Sequence, residues 1–469
     1  MILLFNLYPG CFMYITEFET CVKSGLRGHL VGIGGVSMSP LAEVLHNMGV
    51  PITGSDMNDS EAVRHLQSLG IDVQVGHRAD NIGGASFIIR TAAAREDNVE
   101  IAAARKAGIP VFERAEAWGY IMRRYKNAVC VSGTHGKTTT TSMATHILMA
   151  AGADPTVMIG GTLPKLNSGY HVGEGDVIVL ESCEYFNSFH SFFPTIAVVL
   201  NVDADHLDFF KDLEDVKASF RKFASLVPED GFIVCNGDDD NTMDALRPLG
   251  RELFTFGFGE DVRVRALNVV QNGGSEFDVY FDGRFTCHIA LHIPGQHNIM
   301  NALAATATAL TLNIPADAIT EGLSDFHGAG RRFEYKGSIN GAAVYDDYAH
   351  HPHELRALLD AVESLDYKRI ILAFQPHTYT RTQALFDDFI TELRRADLVY
   401  LAEIFAAREK NTIGISSKDL AEKIPGAVFC PSFKEIEEQI RFISQEGDII
   451  LTVGAGDIYK IGEKLAAYG

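Results

Sequence analysis

Residues 133–139 read Gly-Thr-His-Gly-Lys-Thr-Thr, a combination of residue types that can hold phosphate groups. The segment follows a strand-like run and precedes a threonine-rich stretch that is typical of a helix. Glycines let backbone amides approach phosphate oxygens, and the helix N-terminus adds partial positive charge. Lys137 would reach the β and γ oxygens, and Thr138 would offer a hydroxyl to Mg²⁺. The segment predicts a nucleotide site, although Val131 stands where the common phosphate loop has its first glycine.

A second polar cluster follows the strand-like run VVLNV, where residues 203–208 read Asp-Ala-Asp-His-Leu-Asp. Ligands of this kind suit a hard divalent cation whose other ligands are water and phosphate. Glu181, at the end of the run VIVLE, could join from a neighbouring strand. Alone, the cluster is typical of an acidic surface loop. Beside a phosphate loop, it favours a metal site that includes His206.

Two further motifs are compatible with nucleotide binding. Asn298 and Asn301 lie one helical turn apart and could contact a base edge, although polar caps of a helix explain them equally well. Arg332 follows Arg331 near an expected domain junction, where a cation could reach the γ-phosphate. A surface basic pair is the alternative.

The C-terminal third contains the runs VYDDYAHHPHE and FQPHTYTRT, each following a predicted strand. Tyr348, His350 and Arg381 belong to these runs, and they predict a polar pocket for a small molecule. The three histidines lack the spacing of an open zinc site.

Near the N-terminus, the run HLVGIGGVS predicts a strand that enters a glycine turn. Asp56 lies near the acidic position of dinucleotide-binding folds, but Ser37 occupies the place of the third glycine. The turn therefore predicts a bound nucleotide diphosphate that need not be NAD.

The elements that position these residues alternate between short strands and helices, which predicts an α/β fold built on parallel sheets. We expect N- and C-terminal Rossmann-like domains and a central parallel sheet of the P-loop ATPase type. The predicted ranges are an N-terminal extension at 1–25 and domains at 26–125, 126–327 and 328–469.

The composition of the chain argues against some classes of function. The 469 residues are 46% hydrophobic and carry a net charge of −21, which argues against general nucleic-acid binding. Seven scattered cysteines, without a C-x-x-C pair, favour a reduced cytoplasmic setting. The first twenty residues fit neither a signal peptide nor a membrane span, so a leader extension with Met13 as the natural start is our expectation.

In this order and spacing, the motifs GTHGKTTT, DADHLD, GQHNIMNA, GRRFE and DDYAHHPHE resemble those of the Mur ligases. These are ATP-dependent, amide-forming enzymes of peptidoglycan synthesis, and their nucleotide loop lacks the outer glycine of other phosphate loops. The resemblance runs from about residue 28 to the C-terminus.

The resemblance implies residues for each ligand. It implies that ATP lies on the loop and that the γ-phosphate lies near Arg332, adenine near Asn298 and Asn301, and ribose near Asp346. Mg²⁺ would be near three residues, namely Thr138, Glu181 and His206. The loop residues implied for ATP are Gly133, Thr134, His135, Gly136, Lys137, Thr138 and Thr139. A uridine nucleotide would lie on Gly34, Gly35, Ser37, Asp56 and His77. The amino acid would contact Tyr348, His350 and Arg381. The catalytic residues would be Lys137, His206, Arg332 and His350.

Within the family, the motifs are most similar to those of the members that join L-alanine to UDP-N-acetylmuramate. Phe220 stands where members adding later residues carry a modified lysine, which favours the same type. One alternative is a recycling ligase that joins a preformed tripeptide to the same sugar nucleotide. A NAD-dependent dehydrogenase or a non-catalytic nucleotide-binding scaffold would leave Lys137 and His206 without a role.

Overall fold

The computed structural model describes residues 17–91, 93–207, 209–407 and 409–468. The chain forms two compact units. Unit 1 contains the described residues up to Thr255 together with Ala307–Ile314, and unit 2 contains Phe256–Thr306 and the described residues from Pro315 onwards. The fold is α/β with three mainly parallel sheets, which confirms the predicted fold class.

The strands are short and are listed here in chain order: β1 (Gly28–Val31), β2 (Ile52–Asp56), β3 (Asp72–Val75), β4 (Phe87–Arg90), β5 (Val111–Glu113), β6 (Asn127–Ser132), β7 (Thr156–Leu163), β8 (Ser168–His171), β9 (Val177–Glu181), β10 (Ile196–Val199), β11 (Phe232–Asn236), β12 (Phe254–Gly257), β13 (Val264–Gln271), β14 (Ser275–Phe281), β15 (Arg284–Leu291), β16 (Glu334–Ile339), β17 (Ala342–Asp347), β18 (Arg369–Phe374), β19 (Leu398–Leu401), β20 (Val428–Phe429) and β21 (Asp448–Val453). The α-helices with both ends defined are α1 (Ser39–Asn47), α2 (Glu61–Ser68), α3 (Val99–Ala107), α4 (Arg114–Met122), α5 (Lys137–Ala150), α6 (Leu213–Ala224), α7 (Asp240–Leu246), α8 (Gln296–Thr311), α9 (Ala316–Ser324), α10 (Pro352–Glu363), α11 (Tyr379–Ala384), α12 (Phe386–Leu393), α13 (Ser417–Lys423), α14 (Phe433–Ile443) and α15 (Tyr459–Ala466).

The first sheet lies in unit 1 and has the order β3-β2-β1-β4-β5, with every pair parallel. All four residues of the central strand β1 are buried, as expected for a parallel sheet covered on both faces. The carboxyl ends of β1, β2 and β3 therefore lie side by side at one edge. Ligands of open parallel sheets bind at this edge.

The second sheet contributes the order β11-β10-β6-β9-β7-β8 to unit 1. β6 runs parallel to both of its neighbours, β10 and β9. The register pairs Val131 with Glu181 and Ser132 with Val199. The segments that follow β6, β9 and β10 therefore leave the same edge of the sheet. This places the predicted phosphate loop beside Glu181 and the segment that contains His206.

Unit 2 contains the antiparallel ladder β13-β14-β15. It also contains the third sheet, in the order β16-β17-β21-β18-β19-β20. In this sheet β16 is antiparallel to β17, and the other pairs are parallel. The loops after β17 and β18 therefore leave the same edge, with the loop after β21 between them.

Residues 17–23 are helical and place Phe18 in the core of unit 1. Its ring packs edge-on against Phe87, Phe112 and Tyr120, with centroids 5.1–5.6 Å away. Met13 lies outside the described residues. Every cysteine that the structure describes is a free thiol. Within the described ranges, no helix combines the length and the apolar character needed to span a bilayer.

Candidate active site

The predicted phosphate loop connects β6 to α5 and follows a path that requires glycine. Gly133 has a φ of 144° and Gly136 has a φ of 84°, both in the region that favours glycine. A Cβ atom on Gly133 would lie 2.8 Å from Leu200 Cβ and 3.3 Å from the amide nitrogen of Asn201. The loop is therefore pressed against the chain that follows β10, and it has the close backbone path that phosphate binding needs.

Asn201 holds this loop in place. The Thr134 amide donates to the Asn201 carbonyl at 3.1 Å, and the His135 amide donates to Asn201 Oδ1 at 2.7 Å. Asn201 Nδ2 donates back to the His135 carbonyl at 3.1 Å. The Thr134 hydroxyl also accepts the Asp203 amide at 2.9 Å. Asn201 is not among the residues predicted for the site, and its signal in the sequence is its position between a strand and the acidic run.

Lys137 points its amine back into the loop and onto a carboxylate. Its Nζ donates to the Thr134 carbonyl at 3.0 Å and lies 3.1 and 3.3 Å from the two carboxylate oxygens of Glu184. The side chains of Lys137 and Glu184 are 14% and 3% exposed. Burial alone would lower the pKa of Lys137, but the carboxylates of Glu184 and Glu181 hold that pKa above its ordinary value. The amine is therefore a permanent cation at the place predicted for phosphate.

His206 faces Glu184 from the neighbouring loop. His206 Nε2 lies 3.7 Å from Glu184 Oε1, and one ligand atom each from Cys183, Glu184 and His206 lie within 4.8 Å of one another. His206 has a φ of 54°, and its ring stacks on Tyr185 at 4.4 Å. A left-handed backbone at a residue other than glycine stores strain, which is often found at functional sites.

The other predicted magnesium ligands, Glu181 and Thr138, lie at the end of β9 and at the start of α5. Glu181 Oε2 accepts the Gly160 amide at 2.7 Å, and Thr138 occupies the first turn of α5. The carboxylate of Glu184 and the imidazole of His206 are ligands that suit a divalent cation, and Lys137 compensates the buried Glu184 in the ligand-free protein. Asp208, which belongs to the predicted cluster, lies outside the described residues.

The glycine turn after β1 is shaped by Asp56. The Gly34 amide donates to Asp56 Oδ2 at 2.9 Å, and the Asn58 amide donates to Asp56 Oδ1 at 3.1 Å. A Cβ on Gly34 would lie 2.9 Å from a Val63 methyl group. The predicted residues Gly34 and Gly35 belong to the turn after β1, and Asp56, at the end of β2, holds this turn through the Gly34 amide.

Ser37 lies at the other end of this turn and contacts α4. Its hydroxyl is hydrogen-bonded to the Arg114 guanidinium, and its carbonyl accepts from Trp118 Nε1 at 3.1 Å. His77 follows β3, where the Gly76 amide donates to the Asp56 carbonyl at 2.7 Å. The structure thus brings the predicted uridine-nucleotide residues to one edge of the first sheet.

Asn298 and Asn301 lie on the same face of α8, as their spacing predicts. Asn298 Nδ2 donates to the Pro294 carbonyl at 2.7 Å, and Asn301 Nδ2 donates to Asn298 Oδ1 at 3.3 Å. Both residues are buried. Their contact with adenine stays a prediction.

Asp346 is 1% exposed, and both of its carboxylate oxygens already accept hydrogen bonds. Arg331 Nε donates to one oxygen at 2.9 Å, and the Thr452 hydroxyl donates to the other at 2.8 Å. Burial raises the pKa of Asp346, and the Arg331 guanidinium offsets part of that rise. This geometry gives Asp346 a role in anchoring Arg331, and its predicted contact with ribose stays a prediction. Arg332 instead lies with its guanidinium carbon 5.0 Å from the centroid of the Tyr348 ring.

The predicted amino-acid residues come together in unit 2. The rings of Tyr348 and His350 lie 5.4 Å apart, and those of His350 and His377 lie 5.5 Å apart. Arg381 Nη1 lies 3.2 Å from His377 Nδ1. His350 Nδ1 lies 3.0 Å from the Tyr348 carbonyl oxygen, to which it can donate, and the His350 amide donates to Glu354 Oε2 at 2.9 Å. His377 therefore joins the three predicted residues at the edge formed by β17 and β18.

Comparison with known proteins identifies the family. Three family models match the chain in series: "Mur ligase family, catalytic domain" at residues 27–126, "Mur ligase middle domain" at 131–309, and "Mur ligase, glutamate ligase domain" at 331–456.

Individual proteins that are similar to this chain belong to the same family as the matching models. A UDP-N-acetylmuramate–L-alanine ligase of Clostridium novyi is 45% identical over 452 residues, which are 95% of this chain and 98% of the relative. The enzyme of the same name from Caldanaerobacter subterraneus is 45% identical over 93% of this chain and 96% of its own. The crystal structure of the UDP-N-acetylmuramate-alanine ligase of Thermotoga maritima superposes with a TM-score of 0.78 at 29% identity, covering 94% of this chain and 98% of that one. The chain belongs to the Mur ligase family.

Proposed function

We propose that this protein is an ATP-dependent ligase that joins L-alanine to the lactyl carboxylate of UDP-N-acetylmuramate, a step of peptidoglycan precursor synthesis. The observation that carries the proposal is the glycine-dependent loop with Lys137 at its centre, in a chain 45% identical over 95% of its length to a ligase named for these substrates. Residues of the first and third sheets supply polar groups for a sugar nucleotide and an amino acid.

The first step is phosphorylation of the lactyl carboxylate. A carboxylate oxygen attacks the γ-phosphorus of ATP, the bond between the β–γ bridging oxygen and that phosphorus breaks, and ADP leaves. Two anions must approach each other, so neutralisation of charge is the main requirement for catalysis. Lys137 meets this requirement from within the loop. A similar role for Arg332 rests on the family resemblance.

The second step forms the amide. The amine of alanine attacks the carbonyl carbon of the acyl phosphate, and inorganic phosphate leaves with the electrons of the C–O bond. The amine must lose a proton, and His350 is our candidate acceptor: its Nδ1 donates to the Tyr348 carbonyl at 3.0 Å, so that Nε2 carries the lone pair that can take a proton. Arg381 would pair with the carboxylate of the amino acid.

Mg²⁺ would be held by Thr138, Glu181 and His206, with Glu184 added by the structure. It would neutralise phosphate charge when bound. Before that, Lys137 is the cation that compensates Glu184. When Lys137 turns to phosphate, Glu184 needs a replacement cation, which is consistent with a metal at this place.

The test is release of ADP from ATP by purified protein with UDP-N-acetylmuramate, Mg²⁺ and a panel of amino acids. We expect release that requires the sugar nucleotide and is fastest with L-alanine. A preference for the L-alanyl-γ-D-glutamyl-diaminopimelate tripeptide would instead identify a recycling ligase. No release with any amino acid or with the tripeptide would contradict the proposal.

Lys137→Ala should lower the rate of ADP release by about 100-fold or more, because it removes the cation nearest to the transferred charge. Lys126→Ala is the matched control, since this exposed lysine precedes β6 and lies outside the loop. Retained binding of UDP by Lys137→Ala would show that the fold is intact. Substantial turnover by this variant would exclude the proposed role of Lys137.

A further inference from the structure

Glu100 is a buried carboxylate at the start of α3 that links three parts of the first sheet. It is 0% exposed, although its residue type is almost never fully buried without partners. Its Oε2 accepts from the Ser55 hydroxyl at 2.6 Å and lies 2.9 Å from His77 Nδ1. Its Oε1 accepts from Asn81 Nδ2 at 2.5 Å and from the Arg78 amide at 3.3 Å.

Glu100 is ionised in this environment. Burial raises its pKa, but hydrogen bonds from His29, Ser55 and Asn81 outweigh this and lower the pKa to about 2. An ionised carboxylate can only accept hydrogen bonds. The short contact with His77 therefore requires the proton of the imidazole to be on Nδ1.

This proton position defines what His77 offers to a ligand. In the tautomer with the proton on Nδ1, Nε2 carries the free lone pair of the ring and is a hydrogen-bond acceptor. Ser55 supports the same tautomer, because its hydroxyl donates to Glu100 and can accept from His77 Nδ1 at 3.0 Å. The side chain of His77 is 15% exposed, so part of it remains accessible to a ligand.

The sheet order indicates which part of a nucleotide His77 would meet. In dinucleotide-binding sheets of this order, the diphosphate lies at the turn after β1 and the ribose lies near the end of β2. The base then extends towards the end of β3. His77 follows β3, two residues after its last residue Val75.

Resting on the proposed function, with its uridine nucleotide substrate, we infer that Glu100 is a positioning residue that sets base specificity. It holds His77 with Nε2 as an acceptor, and Nε2 receives the N3–H of uracil. Cytosine has no hydrogen on N3, so its N3 lone pair would face a second acceptor. The Glu100–His77 pair therefore selects uridine over cytidine nucleotides.

The experiment measures binding of UDP and CDP to the full-length protein by calorimetry. Wild type should prefer UDP by about tenfold or more, the effect of one buried hydrogen bond replaced by a repulsive contact. In Glu100→Gln, the new amide can donate to His77 Nδ1, and the imidazole proton moves to Nε2. This reversal should lower the UDP preference to about threefold or less, since Nε2–H can donate to cytosine N3.

His77→Ala should also lose the preference, and the double variant should lose no more than either single variant. Thr53→Val is the matched control. It removes the partner of His29 Nδ1, 2.9 Å away, from the same buried network and leaves the contact between Glu100 and His77. We expect this control to lose stability and to keep the UDP preference of wild type.

Nitrogen-15 NMR of the ligand-free protein separates this inference from the proposed function. The His77 resonances, assigned by their loss in His77→Ala, should show Nδ1–H in wild type and Nε2–H in Glu100→Gln. The opposite tautomer in wild type, or an unchanged UDP preference in Glu100→Gln, would overturn the inference while UDP binding persists. If wild type binds no UDP, the proposed function is wrong and the specificity role fails with it.

Discussion

At the residue scale, the amine of Lys137 can pair with either of two anions, and each pairing leaves the other anion without this cation. In the ligand-free protein it pairs with the buried Glu184, 3.1 Å away, and in the proposed reaction it pairs with phosphate. Breaking a buried pair leaves an uncompensated charge, which is costly unless another cation takes its place. Nucleotide binding and metal binding are therefore expected to favour each other through Glu184.

Glu184→Gln should lower the free energy of unfolding by about 3–5 kcal/mol, the usual cost of removing one partner of a buried ion pair. The pKa of Lys137 is raised above 10.5, so stability from the pair is fully present below that pH and is lost as pH rises through the raised pKa. Urea unfolding at neutral pH thus measures the full effect. In the exposed pair of Lys434 and Glu438, Glu438→Gln should change stability by less than about 1 kcal/mol. Equal effects of the two substitutions would contradict this account of the buried pair.

The residues that the sequence predicts at this site can be identified from residues close to them in the chain. Lys137 and Thr138 follow a strand and glycines within a few residues, so local spacing identifies them. Glu184, Asn201 and Glu100 act through partners 23 to 66 residues away along the chain. Such contacts depend on strand order and register, which local pattern does not specify.

At the element scale, strong local signals predicted several buried strands, among them β1, β6, β9 and β10, and the nucleotide loop. The buried strands β1, β6, β18 and β21 are runs of apolar residues bounded by glycine or polar turns. The edge strands β8, β16 and β20 were not predicted. Their residues are mostly half-buried or exposed, so hydrophobic pattern is weak there, and pairing with a neighbour decides their structure.

Asn201→Ala should weaken ADP binding by about tenfold to 100-fold, because it frees the loop between β6 and α5 from two of its side-chain hydrogen bonds. Calorimetry with ADP checks this expectation. Asn201→Asp keeps the acceptor for the His135 amide but loses the donor and adds an anion beside the loop, so its loss should be at least as large. Binding of UDP should not change in either variant. Unaltered ADP affinity in Asn201→Ala would show that glycine geometry alone shapes the loop.

At the scale of the whole molecule, the alternating pattern predicted the α/β class, and the three sheets confirm it. The predicted domain boundaries stay a prediction. What the pattern could not specify is that the first and second sheets share one continuous hydrophobic core within unit 1. That core depends on α4, whose seven buried residues include Trp118 and Gly119.

Within unit 1, α4 contacts the glycine turn after β1 and the segment that follows Glu184, so it links the neighbourhoods of the two proposed nucleotide sites. Arg114 and Trp118 hold Ser37 of the glycine turn, while the backbone at Gly119 lies against Ser191, in the segment that follows Glu184. A Cβ on Gly119 would lie 2.0 Å from the Ser191 carbonyl oxygen, a backbone atom that cannot move without its segment. A change at this one position should therefore affect both sites.

We expect Gly119→Ala to cost about 1–3 kcal/mol of stability through overpacking and to weaken the binding of both UDP and ADP. Thermal unfolding and calorimetry with each nucleotide measure the two effects. Gly108→Ala is the matched control: its φ of 72° makes alanine strained, but nothing lies within 4 Å of the added Cβ. That control should lose about 1 kcal/mol and retain both affinities. If Gly119→Ala weakened only one nucleotide, the two sites would be independent, and α4 would serve the core alone.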